Sequence, residues 1–176
     1  MLELINPTEA HREDWENIMG EWNDDRNESD NNRKRPRILF QDTFDKFLAI
    51  VEELGLSNDE VRQMAKSSVM FLVDSGENRV LGCSWIRHHI QFSLDALYNG
   101  HIGYGIRPSE RGQGYATEIL KLSLLEAKKI GLDKILIACD DTNVASARVI
   151  EKNGGVFESF NNEDGVKRRR YWIDIV

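Results

Sequence analysis

Apolar positions in the first third of the chain recur with helical spacing. Trp15, Ile18, Met19 and Trp22 stand at i, i+3, i+4 and i+7, and Phe44, Phe47, Leu48 and Val51 repeat the pattern. Each set therefore shares one helix face. Ser57-Asn58-Asp59-Glu60 reads as a capping box that opens a third helix through Val61 and Met64. The period then changes. Residues 68–73 and 80–90 read as strands joined by the turn Asp74-Ser75-Gly76-Glu77-Asn78. Residues 101–107 read as a further strand, stopped by Pro108. A helical stripe returns at Ala116, Ile119, Leu120, Ser123, Leu124 and Ala127, and Gly131 closes it. Residues 134–139 form a nearly continuous apolar run, the pattern of a strand buried on both faces. Residues 143–152 predict a short helix ending at Asn153-Gly154-Gly155, and two last strands bracket a turn at 161–165. The polar stretch 23–37 reads as a long surface loop.

The centre of the chain is thus strand, helix, strand, which demands parallel strands and a right-handed crossover. Hairpins on either side imply a mixed sheet, and residues 1–176 read as one α/β domain. Composition changes little: 40% hydrophobic and 30% charged residues are ordinary for a globular protein. No stretch approaches the length of a membrane span, and Met1-Leu2-Glu3-Leu4-Ile5-Asn6-Pro7 lacks the basic and apolar regions of a signal peptide. A soluble, cytoplasmic protein with no membrane partner is expected. The net charge of −7 argues against nucleic-acid binding. The basic runs Arg33-Lys34-Arg35-Pro36-Arg37 and Lys167-Arg168-Arg169-Arg170 read as solvated loops, with contact to phosphates or an anionic substrate as the alternative. Cys83 and Cys139 are too few for a disulfide framework or a four-ligand zinc site, and each sits in an apolar run. His88 and His89 point to opposite faces of a strand and have no third ligand at suitable spacing, so no metal is expected.

The chemistry concentrates in Arg107-Pro108-Ser109-Glu110-Arg111-Gly112-Gln113-Gly114-Tyr115-Ala116-Thr117, which joins a strand to a helix. A helix start offers unpaired N–H groups and partial positive charge, both suited to a diphosphate. Gly112 and Gly114 let the backbone bend and approach phosphate oxygens, and Arg111 adds a permanent cation. A Walker A loop is excluded because no Gly-Lys-Ser/Thr follows. A dinucleotide fingerprint fails because Thr117 stands where its third glycine belongs.

Arg111-Gly112-Gln113-Gly114-Tyr115-Ala116 resembles the Arg/Gln-x-x-Gly-x-Gly/Ala loop of GNAT acetyltransferases. Asn143-Val144-Ala145-Ser146, then Val149-Ile150-Glu151-Lys152-Asn153-Gly154, resembles the later helix of that superfamily. His101-Ile102-Gly103-Tyr104-Gly105-Ile106-Arg107-Pro108 is similar to the preceding strand in the branch that acetylates protein N-termini and small amines. The resemblance spans roughly 101–155. It implies a central mixed, mostly antiparallel sheet of about seven strands flanked by helices, with strands four and five parallel and splayed. It further implies that acetyl-CoA inserts its pantetheine arm there, beside backbone groups near Tyr104 and Ile106. The loop from Arg111 through Gly112, Gln113, Gly114, Tyr115, Ala116 and Thr117 would hold the diphosphate. Asn143 and Ser146 would lie beside the thioester. Dimers are common in the superfamily, so a homodimer is compatible with the resemblance.

The implied reaction is direct attack of a primary amine, from a small molecule or a protein N-terminus, on the thioester. It requires a neutral amine, an aligned carbonyl and stabilised oxyanion and thiolate. Many family members protonate the thiolate with a tyrosine placed where this chain has Ile150. Ser146 is the nearest replacement or a helix-start hydroxyl bonded to backbone; Cys139 is a weaker candidate. His101 is either a general base or a structural strand histidine. Asp95, Glu158 and Glu163 are further, unranked bases. The alternative to an enzyme is an acyl-CoA-binding sensor domain.

Overall fold

The computed structural model describes residues 1–28, 41–56, 65–76, 79–90, 100–163 and 165–175. The third helix expected at 57–64, the basic run at 33–37 and Asp95 lie outside them. Strands β1 (Leu2–Ile5), β2 (Ser67–Asp74), β3 (Arg79–Arg87) and β4 (Ile102–Ile106) form one antiparallel sheet in chain order. Strands β5 (Lys134–Asp140), β6 (Val156–Glu163) and β7 (Val166–Asp174) form a second, in the order β5-β7-β6. Helices α1 (Arg12–Glu28), α2 (Phe44–Leu56), α3 (Tyr115–Lys129) and α4 (Val144–Lys152) flank them. The seven strands and flanking helices match the expected architecture.

The helical stripes do what their spacing requires. Trp15, Ile18 and Trp22 of α1 and Phe44 and Phe47 of α2 close over Val69, Phe71 and Val73, which alternate along β2. The Phe47 and Phe71 rings stack at 5.6 Å. On the opposite face, α3 lies across both sheets. Ile119 packs with Leu72, Leu81 and Ile106, while Leu120 and Ala127 join Ile135, Ile137, Tyr171 and Ile173. A buried polar contact, Ser84 Oγ to Ser123 Oγ at 2.7 Å, lies between β3 and α3.

Two expectations are corrected. The polar segment starting at residue 23 does not begin as a loop, because α1 continues through Glu28. The run Lys167–Arg170 is not a loop but lies in the first half of β7, where carboxylates face it: Lys167 and Arg169 pair with Asp141, Arg168 with Asp140 and Arg170 with Glu158. Strand β1 carried no legible signal in its four residues, yet it pairs with β2 from Leu2↔Asp74 to Ile5↔Phe71.

Candidate functional site

Among the described residues, the two sheets meet where the chain entering β4 touches the middle of β5. Gly100 forms an isolated bridge with Ile137, and the His101 amide donates to the Leu136 carbonyl at 2.7 Å. A Cβ on Gly100 would collide with that carbonyl oxygen, so the close approach requires glycine. Beyond it β4 pairs with β3 alone. The register Gly82↔Ile106 through Ile86↔Ile102, with the Arg87 amide on the His101 carbonyl and the Arg107 amide on Leu81, places the odd-numbered residues of β4 in bonds to β3. Antiparallel alternation then turns the backbone groups of Tyr104 and Ile106 toward the gap.

The loop into α3 opens at the end of that gap. A single 3₁₀ turn, Pro108–Glu110, leads from β4 into it. Gly112 and Gly114 have φ of 81° and 90°, which only glycine adopts without strain. A Cβ on either would meet no protein atom within 4 Å, so here the demand for glycine is conformational. Gly114 is the N-cap of α3 and supplies no capping side chain. Among the described residues, the amides of Gly112, Gln113, Gly114, Tyr115 and Ala116 donate to no acceptor, whereas Thr117 and Glu118 both donate to the Gly114 carbonyl. Five consecutive unpaired amides at the positive end of a helix form an anion site in the chemical sense. The Gln113 side chain is held by Glu110 at 2.9 Å, and Glu110 in turn pairs with Arg79 at 2.7 Å. Arg111 is exposed, its Nε 3.4 Å from the Ile106 carbonyl.

Sequence reasoning missed what fixes this loop. Arg107 is 7% exposed and binds Glu21 through Nε and Asp14 through a terminal nitrogen at 3.0 Å. Glu21 also accepts the Ser109 amide at 3.1 Å, and Asp14 the Val80 amide at 2.7 Å. Burial pushes the Glu21 carboxyl up, but the bonds from Arg107 and Ser109 outweigh it and hold it below the usual glutamate range. The signal was present: Asp14 and Glu21 stand seven apart, on one helix face, and an arginine ends an apolar strand.

The second helix start lies across the gap. Asn143 caps α4, its Oδ1 accepting the Ser146 amide at 3.1 Å. The Ser146 hydroxyl meets the Tyr104 hydroxyl at 2.9 Å. Burial drives the Tyr104 phenol up to about 12 and the Cys139 thiol up to about 11. Both stay protonated at neutral pH. Ile150 is 0% exposed and belongs to the core.

The remaining candidates are engaged elsewhere. Nδ1 of His101 accepts the Leu136 amide at 3.0 Å, so with the bond from its own amide this residue stitches β4 to β5. Burial holds its imidazole below the ordinary value. Glu158 accepts from Trp172 Nε1 at 2.7 Å and Arg170 Nε at 2.8 Å, which keeps it below the usual range. The Glu163 side chain lies outside the described residues. No helix among the described residues is long and apolar enough to cross a membrane.

An open strand edge beside a helix start with unpaired amides is the arrangement of an acyl-CoA transferase. Residues 2–156 match the acetyltransferase (GNAT) domain family, and the chain belongs to that family of acyl-CoA-dependent transferases. No curated protein matches it in sequence. Among solved structures, it is similar to RimL, a ribosomal L7/L12 α-N-protein acetyltransferase in complex with coenzyme A, with 18% identity and a TM-score of 0.69 over 99% of this chain and 94% of that one. An N-acetyltransferase from Staphylococcus aureus Mu50 has 18% identity and a TM-score of 0.65 over 100% and 99%. The microcin C7 self-immunity acetyltransferase MccE, in complex with acetyl-CoA and AMP, has 15% identity and a TM-score of 0.66 over 99% and 92%. These likenesses establish the fold.

Proposed function

We propose that this protein transfers the acetyl group of acetyl-CoA to a primary amine, of a small molecule or a protein N-terminus, by direct attack on the thioester. The observation that carries this is the run of unpaired amides from Gly112 to Ala116 beside the open edge of β4. These residues fit the co-substrate. The amides and Arg111 would hold the diphosphate, with Thr117 in the first helical turn. The backbone groups of Tyr104 and Ile106 would bond the pantetheine arm as a missing strand would. Asn143 would fix the start of α4, and Ser146 would face the sulfur. Acetyl-CoA supplies an activated carbonyl. The protein contributes alignment, a strand-edge N–H for the developing oxyanion and hydroxyl groups for the thiolate. His101, its lone pair already engaged, serves as a latch in this scheme.

The test is calorimetric titration with acetyl-CoA, followed by thiol release with a panel of amines. Binding and amine-dependent release are expected; absence of binding overturns the proposal. A second reading, an acyl-CoA sensor, is favoured by one observation: the core residue Ile150 stands where a thiolate-protonating tyrosine would be. Tight binding with no release from any amine would select it.

A further inference from the structure

We propose that Tyr104 is a positioning residue for the departing sulfur: its phenol donates to Ser146 Oγ and so turns the Ser146 proton toward the thioester. The inference deepens the acyl-CoA reading above and rests on it. Tyr104 comes from β4 and Ser146 from the first turn of α4, so the 2.9 Å contact joins the two sides of the gap. A phenol is a far stronger acid than an alcohol, which makes Tyr104 the donor in such a pair. With Tyr104 donating, the Ser146 hydroxyl keeps its own proton for a further acceptor, and in the gap that acceptor is the thioester sulfur. The Ser146 amide is already tied to Asn143, which anchors the residue at the helix start. Ile150, one turn further along α4, is buried in the core and offers no proton. The strand therefore supplies the hydroxyl that the helix face lacks.

In the reaction the amine nitrogen forms the C–N bond and the C–S bond breaks, its electron pair leaving on sulfur. The nitrogen's proton goes to water, and the thiolate later takes one back from water. Ser146 donates to the sulfur while it carries charge. The charged groups that act on the Cys139 thiol are Asp140 of β5, Glu151 of α4 and Arg169 of β7. Arg169 is bonded through Nε to Asp141 at 2.6 Å, and Tyr171 donates to Glu151 at 3.2 Å.

The readout needs no acceptor. The thiol of CoA bound to the full chain is titrated by its ultraviolet thiolate absorbance, with the acetyl-CoA complex as blank to cancel Cys83 and Cys139. In the wild type the bound thiol should titrate about one pH unit below free CoA, a tenfold shift in its acidity. Ser146→Ala should return it to the free value, and Tyr104→Phe should return it at least halfway. The double variant should go no further than Ser146→Ala, because coupled residues are not additive. An unmoved titration in Tyr104→Phe, or additive shifts in the double variant, overturns the proposal. So does a wild-type bound thiol that titrates like free CoA. Failure of wild-type protein to bind CoA overturns the acyl-CoA reading as well, and binding with an unmoved thiol overturns only the role of Tyr104.

Discussion

Helices α3 and α4 each begin just past the end of a strand that borders the gap, β4 for one and β5 for the other, yet their first turns are built differently. The start of α4 is closed by its own side chain, since Asn143 accepts the Ser146 amide. The start of α3 has a glycine N-cap with φ 90° and amides with no partner among the described residues. A side-chain cap is worth about 1 kcal/mol, and forgoing it leaves donors for something else. One start is stabilised from within; the other is left as a site and held from behind by Arg107, Asp14 and Glu21. The two neighbouring turns thus divide stability and binding between them.

The comparison breaks first at Gly114. Gly114→Glu puts a side chain into the left-handed region and a carboxylate beside the anion site. We expect acetyl-CoA affinity to fall by more than about 100-fold, counting backbone strain of about 1–2 kcal/mol and charge repulsion. Unchanged affinity by calorimetry would remove the diphosphate from this turn. Next is the support behind it. Arg107→Met leaves Asp14 and Glu21 without their cation and should cost about 2 kcal/mol in urea unfolding. It should also weaken acetyl-CoA binding while kcat at saturation stays within about twofold.

The same clamp has a pH signature. Because Glu21 titrates below its ordinary 4.5 when folded, the clamp's contribution is complete above that pH. It is lost as pH falls through the lowered value. The stability gap between wild type and Arg107→Met should therefore close in acid and persist at neutrality. A gap that widens in acid would disprove the ion-pair account.

Ser146→Ala comes third. Turnover should drop about tenfold, one lost hydrogen bond to a charged leaving group, with acetyl-CoA affinity nearly unchanged. Full activity would return Ser146 to a purely structural role. The smallest effect belongs to the closed helix start: Asn143→Ala should lower folding stability by about 1 kcal/mol and affinity only severalfold. If Asn143→Ala weakened binding as much as Gly114→Glu, the contrast between the two turns would disappear.

Local chemistry was legible in the chain itself. The stripe Trp15, Ile18, Trp22 had to find a sheet, and Phe71 and its neighbours on β2 provide one. The helix that starts after Gly114 and stops at Gly131 was readable because both glycines take positive φ. Asn143 as a cap was readable for a different reason: a helix start needs an acceptor three residues back. Short β1 was not, since four residues carry no reliable period and its pairing with β2 lies some seventy positions away, as in Leu2↔Asp74.

What the sequence settled by itself is therefore what neighbours in the chain settle: element type, helix ends, and a turn whose amides have no local acceptor. Only the tertiary structure decided that the turn faces an open strand edge, that Arg107 is buried against α1, and that Tyr104 reaches Ser146 while His101 is spent on Leu136. Dihedral preference and capping act over a few residues and can be read in order. Partnership between side chains dozens of positions apart depends on how two sheets meet, and the packing of α3 across them fixes that.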